Sequence, residues 1–189
     1  NQFVKKNIKK EYGEIIESYS KKKIIDNKIN KESKVWFFWW QGLEDAPEVV
    51  KLCYSRLTYI ARKENKKVEI IDKNNYKNFV SFPDYISEKF NKKIISVTIF
   101  SDLLRMELLY QYGGYWIDAT ILLSDNFRFD KIDKLHVYTV KHNQYKSWHI
   151  CKGLWSSFFL CSGEKNMTIG FVRDVLLHYW EKNNNLHAS

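Results

Sequence analysis

The stretch from Val97 to Asp118 leaves this chain few ways to fold. Val97 to Tyr112 reads as a helix, and Gly113-Gly114 ends it where the chain needs a left-handed turn. Tyr115-Trp-Ile117 is then a short strand, with Asp118 directly at its carboxyl end. A carboxylate in that place stands at the sheet edge where open α/β sheets bind ligands. The unit predicts an α/β fold with the helix packed back on the sheet.

The rest of the chain supplies partners for this unit. Lys34-Val-Trp-Phe-Phe-Trp-Trp40 is a continuous apolar run ended by Gln41-Gly42, as expected of a buried strand entering a loop. Asp45, Pro47 and Glu48 mark a helix start, since carboxylates in a first turn complement the helix dipole. Val49, Val50, Cys53, Tyr54, Leu57, Ile60 and Ala61 continue it with helical period, and Val68 to Ile71 is a second strand ending at Asp72. Strand, helix, strand in this order predicts a parallel unit. Two short helices are expected around Tyr76 and from Asp84 to Phe90. Strands follow near Val137 to Val140 and Ser156 to Leu160, and a last helix runs from Asn166 to Lys182. Residues 1–33 are Lys-rich, with Val4, Ile8, Tyr12, Ile15, Ile16 and Tyr19 at helical spacing. They form an amphipathic helical segment, either packed on the domain or lying on a membrane surface. Residues 34–189 form the main domain.

Two readings of the central carboxylates compete. Asp102 and Arg105, at i and i+3, share a helix face. They are either a surface ion pair of little worth, or a site in which Asp102 accepts bonds from ligand hydroxyls and Arg105 orients it or faces a phosphate. Asp118 either caps a turn or offers hard oxygen to a divalent cation that neutralises a diphosphate leaving group. Asp102, Arg105, Gly113, Gly114 and Asp118 fall in one compact helix–turn–strand unit, which favours the second reading of each.

Phe100-Ser-Asp-Leu-Leu-Arg-Met-Glu-Leu-Leu-Tyr-Gln-Tyr-Gly-Gly-Tyr-Trp-Ile-Asp-Ala-Thr120 resembles the signature of the capsular polysaccharide synthesis glycosyltransferases. That family is related to the DXD-containing sugar transferases, among them yeast mannosyltransferases and clostridial glucosylating toxins. The resemblance extends to Lys34-Val-Trp-Phe-Phe-Trp-Trp-Gln-Gly42, Ala46-Pro47 and the Cys53 helix, with weaker echoes at Trp155 to Phe158 and Tyr179-Trp180. It implies a GT-A fold, meaning a Rossmann-like α/β domain with a mostly parallel sheet that binds a nucleotide-sugar with Mn²⁺ or Mg²⁺. Position by position it implies that Asp102 binds ribose, Arg105 stands near the donor sugar or phosphate, and Gly114 belongs to the donor site. Asp118 becomes the first DXD carboxylate, and Trp39 or Trp40 stacks on the base. Thr120 replaces the second carboxylate, so it offers only a neutral oxygen to the metal. The resemblance further implies retention of anomeric configuration, with Asp118 and Arg105 as the catalytic pair.

Composition narrows the alternatives. The chain has 189 residues, 44% of them apolar, enough for one domain with a sizeable core. Aromatics reach 16% with seven Trp, more than a minimal core requires. The net charge is +9, but only five of the 31 basic residues are Arg. Specific nucleic-acid readers lean on Arg for bidentate contacts, so no nucleic-acid partner is expected, while phosphates or an anionic membrane surface are compatible with the charge. Cys53, Cys151 and Cys161 are odd in number, without C-x-x-C spacing, which argues against a disulfide framework or structural zinc. With no leader and no spanning apolar run, the chain reads as cytoplasmic, at most attached to the inner face of the membrane. Asn1 in place of Met and the polar run to Ser189 suggest a fragment with C-terminal residues absent.

Other groupings rank lower. His142, His149 and Cys151 match no common zinc spacing. Asp125, Asp130 and Asp133 read as solvated loop carboxylates, and Ser156 or Ser157 as residues able to face a sugar. The sum is a glycosyltransferase extending a capsular or cell-surface polysaccharide from a nucleotide-sugar, UDP-linked, onto a saccharide or lipid-linked saccharide acceptor. The alternatives are a protein-glycosylating relative and a degenerate sugar or nucleotide binder.

Overall fold

Strand β1 (Val35–Phe38) consists of four apolar residues, all buried, because helices cover both faces of its sheet. Successive side chains point to opposite faces. Val35 and Phe37 join a core with Tyr115, Ile117, Phe159 and Cys161, whereas Trp36 and Phe38 join a second core with Trp116 and Leu160. Two cores on two faces make a three-layer α/β structure. This computed structural model describes residues 2–23, 27–141 and 153–185. The Val4 side chain and the His142, His149 and Cys151 grouping lie outside the described residues.

Helix α1 spans Gln2–Lys21, and α2 (Glu48–Lys63) follows β1, leading to β2 (Val68–Ile71). Helix α2 covers the first core with Val50, Cys53, Leu57, Ile60 and Ala61, while Val49 is left exposed. A 3-10 turn at Tyr76–Asn78 and helix α3 (Asp84–Asn91) then lead to α4 (Val97–Tyr112) and β3 (Gly114–Ile117). Helix α4 is buried nearly all round, since the sheet lies on one side and α5 (Met167–Lys182) on another. Strands β4 (Val137–Thr139) and β5 (Phe159–Ser162) complete the sheet, and a further 3-10 turn at Phe129–Lys131 was not expected. Its amino end is held by Glu64, whose two carboxylate oxygens accept the Phe129 and Asp130 amides.

The strand order is β2-β1-β3-β5-β4. β1 pairs in parallel with β2 and β3, while β5 pairs antiparallel with both β3 and β4. The sheet is therefore mixed rather than mostly parallel in its pairings, with β5 the one reversed strand among those described. An antiparallel neighbour needs no crossover helix, and no α-helix lies between β3 and β5 among the described residues. Strand β5 also begins later than expected, at Phe159 rather than Ser156. Its register explains this: Ile117 faces Phe159 and Gly114 faces Ser162, so four residues of β5 match four of β3.

The junction of α4 and β3 is very tight. Gly113 has φ 64° and Gly114 has φ 103°. A Cβ on Gly114 would lie 2.3 Å from the Lys34 carbonyl oxygen, so only glycine permits this approach. The Trp36 indole donates to the Gly113 carbonyl at 2.8 Å and ties β1 to the same point.

Helix α1 packs on α5. Tyr12, Ile15 and Ile16 are half-buried and Tyr19 is buried, its hydroxyl donating to Asp174 at 2.6 Å. The apolar stripe of residues 1–33 is thus covered by the domain, and only Ile8 of the described stripe stands exposed. Among the described residues no helix is long and apolar enough to cross a membrane.

Candidate functional site

A cleft of about 530 Å³ opens at the carboxyl ends of β1 and β3. Three segments build it. The expected first strand stops at Phe38, and Trp39 to Gln41 leave the sheet in a turn closed by the Gly42 amide donating to the Trp39 carbonyl at 3.0 Å. The amino end of α4 supplies Ser101, Asp102 and Arg105, and the end of β3 supplies Trp116, Asp118 and Thr120. Ser96 caps α4 by accepting the Ile99 amide, and no acidic residue occupies the first turn, so the positive end of the helix dipole faces the cleft.

Arg105 is the centre of the site. Its side chain is 4% exposed, with the guanidinium carbon 4.9 Å from the centre of the Trp116 ring. Nη1 donates to Asp102 Oδ1 at 2.5 Å, and Nη2 donates to Asp118 Oδ1 at 3.0 Å. The pair from α4 is therefore not a surface ion pair, because its cation is buried and shared with a second carboxylate. Trp116 Nε1 adds a bond of 2.6 Å to the same Asp118 oxygen. The turn after Asp118 is closed by its backbone carbonyl, which accepts the Ile121 amide, so the carboxylate caps nothing. Oδ1 of each aspartate is thus held in place, while Oδ2 of each takes no hydrogen bond among the described residues.

Two residues that line the cleft carry an unused donor. Arg105 Nε and Trp39 Nε1 are buried without a hydrogen-bond partner. Buried polar groups left unpaired are rare and call for a cause. Both residues line the cleft, beside the carboxylate oxygens that Arg105 holds in place.

The two tryptophans after β1 differ. Trp40 meets the rings of Phe38, Tyr76, Phe90 and Phe100, with centroids 4.9 to 6.4 Å away, and belongs to the aromatic framework. Trp39 has no ring partner among the described residues and leans on the other core. Gly114 does not line the cleft. It sits at the amino end of β3, four residues and roughly 13 Å along the strand from Asp118, pressed against Lys34. The resemblance implied a place for it in the donor site, and the length of the strand carries it away from the cleft.

Thr120 is exposed at the cleft wall. Asp118 Oδ2 and the Thr120 hydroxyl are the hard oxygens that a divalent cation would meet here. Such a cation takes about six, and no group of three or more His, Cys, Asp or Glu side chains able to hold a metal occurs among the described residues. The donor set fits a cation arriving on a ligand diphosphate and does not fit a free-standing metal site.

Sequence reasoning missed Trp116, Ser101 and Gln41. Trp116 was recoverable, since alternation puts residues two apart in a strand on one face. Ser157 lines the cleft, whereas Ser156 is buried and its amide donates to Thr139. Asp125 pairs with Arg56, and half-buried Asp133 packs against buried Lys66, with both carboxylate oxygens within 3.0 Å of its ammonium. Cys53 and Cys161 are free and buried, and burial pushes both thiols up, away from nucleophilic use.

Fold and site together define an α/β protein with a ligand cleft at the carboxyl edge of a mixed sheet. More particularly, the chain belongs to the capsular polysaccharide synthesis protein family, whose model matches residues 1–188. A comparison with curated proteins returned no match.

Proposed function

We propose that this chain is a GT-A-type glycosyltransferase that moves a sugar from a nucleotide-sugar, UDP-linked, to a saccharide or lipid-linked saccharide acceptor in capsular polysaccharide synthesis. The observation that carries the reading is the cluster of Asp102, Arg105 and Asp118. Each carboxylate is oriented through one oxygen and offers the other to a hydroxyl-rich ligand.

In this reading Asp102 Oδ2 and Asp118 Oδ2 accept hydrogen bonds from ribose and sugar hydroxyls. Arg105 holds both carboxylates and brings its positive charge to the donor's phosphates. Trp39 lies against the base, its ring being the one not engaged with other aromatics. The amino end of α4 faces the phosphates. Asp118 Oδ2 and Thr120 would hold a Mn²⁺ or Mg²⁺ ion brought by the diphosphate, whose charge would offset that of the leaving group. Asp102 and Asp118 are the two carboxylates lining the cleft, and both are engaged by Arg105. The reading includes retention of configuration, in which neither carboxylate need act as a base on the acceptor.

A panel of nucleotide-sugars tested by calorimetry, with and without Mn²⁺, on wild type and Asp118→Ala checks the reading. It holds if one donor binds and the variant loses that binding. It fails if no nucleotide-sugar binds. Thr120, standing where a second carboxylate would strengthen a metal site, favours one further reading, a binder without turnover. Release of free nucleotide from the bound donor excludes that reading.

A further inference from the structure

The net charge of +9 finds no use in the cleft, and the apolar stripe of α1 is covered by α5. A second cavity of about 440 Å³ lies where the carboxyl end of α1 meets the amino end of α5. Tyr19, Lys22, Lys23, Tyr110, Lys165 and Met167 line it. The Lys22 ammonium stands 3.6 Å from the centre of the Tyr19 ring, and the Lys165 ammonium 4.9 Å from that of Tyr110. Each cation thus rests on one tyrosine. No carboxylate pairs with Lys22, Lys23 or Lys165 among the described ion pairs, although Lys21 next door is paired with Glu17. Asp174, the nearest acid on α5 that touches this wall, is taken by the Tyr19 hydroxyl and by Arg173.

Three lysines without a carboxylate partner among the described residues line one cavity, and like charges gathered there favour an anion. Their exposure alone would mean little in a chain rich in lysine. Their convergence on a cavity walled by two phenol rings separates them from solvated surface lysines such as Lys67 and Lys92. A phosphate group, carrying up to two negative charges and three acceptor oxygens, matches three donors of this kind.

We propose that Lys22, Lys23 and Lys165 form a phosphate-binding site between Tyr19 and Tyr110, on the opposite edge of the sheet from the cleft. The site does not depend on the transferase reading. The phosphate comes either from an anionic lipid headgroup or from a soluble phosphate ester, and both present the same chemistry.

The test uses the full chain with two probes, phosphatidylglycerol vesicles in co-sedimentation and glycerol 3-phosphate in calorimetry. The double variant Lys22→Gln/Lys165→Gln is compared with Lys67→Gln/Lys92→Gln, which removes the same charge elsewhere. The expected result is at least about tenfold weaker binding for the first variant and less than about twofold for the second. Binding to vesicles alone assigns the lipid source, and binding to glycerol 3-phosphate assigns the soluble one; either supports the site. Equal weakening in both variants shows that only diffuse charge attracts the probes and overturns the proposal, as does a wild type that binds neither probe. Thermal unfolding of the same samples, with both variants melting as wild type does, confirms that both variants fold.

Discussion

Arg105 Nη2 and Asp118 Oδ1 lie 3.0 Å apart, joining the middle of α4 to the end of β3. Because Arg105 is buried and reaches Asp102 as well, the bond organises two carboxylates with one cation. Arg105→Lys keeps the charge but loses the planar fork. It should reduce stability by about 1–2 kcal/mol, the aspartates being partly exposed and so partly screened. Nucleotide-sugar affinity should fall at least about tenfold. Denaturant titration and calorimetry read the two effects separately. A variant with full stability and full affinity contradicts the central place given to Arg105.

Trp39 and Trp40 should respond in opposite ways. Trp40→Ala empties a cluster of four rings and should cost about 3–5 kcal/mol of stability. Trp39→Ala should cost less, since no aromatic ring among the described residues packs on Trp39, but weaken donor binding by about 1–3 kcal/mol if its ring stacks on the base. The reverse pattern assigns base stacking to Trp40.

Gly114→Ala forces a methyl group to within 2.3 Å of the Lys34 carbonyl at a φ of 103°. Backbone must move, so the loss should reach about 3 kcal/mol or more, or soluble protein should fail to form. Thermal unfolding of Gly114→Ala beside Gly13→Ala gives the comparison, because a Cβ on Gly13 meets nothing within 4 Å.

Alkaline pH should unfold the protein early. Burial, followed by hydrogen bonding to Asp133 and the charge of that residue, raises the Tyr115 hydroxyl well above its usual value near 10. Burial and the bond to Asp174 raise Tyr19 in the same direction. In both cases the folded state holds its proton more tightly than the unfolded state. The stabilisation is therefore complete below pH of about 10 and declines above it, by about 1.4 kcal/mol per pH unit for each tyrosine. Tyr115→Phe should flatten that decline while costing about 1–2 kcal/mol near neutrality, as Asp133 loses a donor. Urea titrations across pH 8 to 11.5, roughly spanning the usual tyrosine range, would show no change of slope if Tyr115 is not coupled to folding.

Helices α4 and α5 and strand β2 were legible with their ends, and α2 with its start, because local signals mark them. Pro47, Gly113 and Asn166 punctuate the chain, and the apolar period of each segment is unbroken. The direction and register of β5 were not legible, since pairing with β3 is settled by residues some forty positions away. The same limit applied to the site. Asp102, Arg105 and Asp118 sit in one local unit and could be read together. The division of labour between Trp39 and Trp40 depends on Tyr76, Phe90 and Phe100 arriving from other elements. Gly114 was misplaced for the opposite reason, since four residues of extended chain carry it to the far edge of the sheet.

The glycine junction also decides where this cleft can vary. Helix α4 and strand β3 meet through two residues that have neighbouring backbone pressed against them on every side where a side chain would grow. The two arms that carry Asp102 and Asp118 form a rigid bracket with no room for a hinge. Any change of shape that admits a different ligand falls to the three segments facing the bracket: the turn from Trp39 to Gly42, the stretch after Asp118, and the approach to β5 through Ser157. Those segments are tuning elements around a fixed jaw.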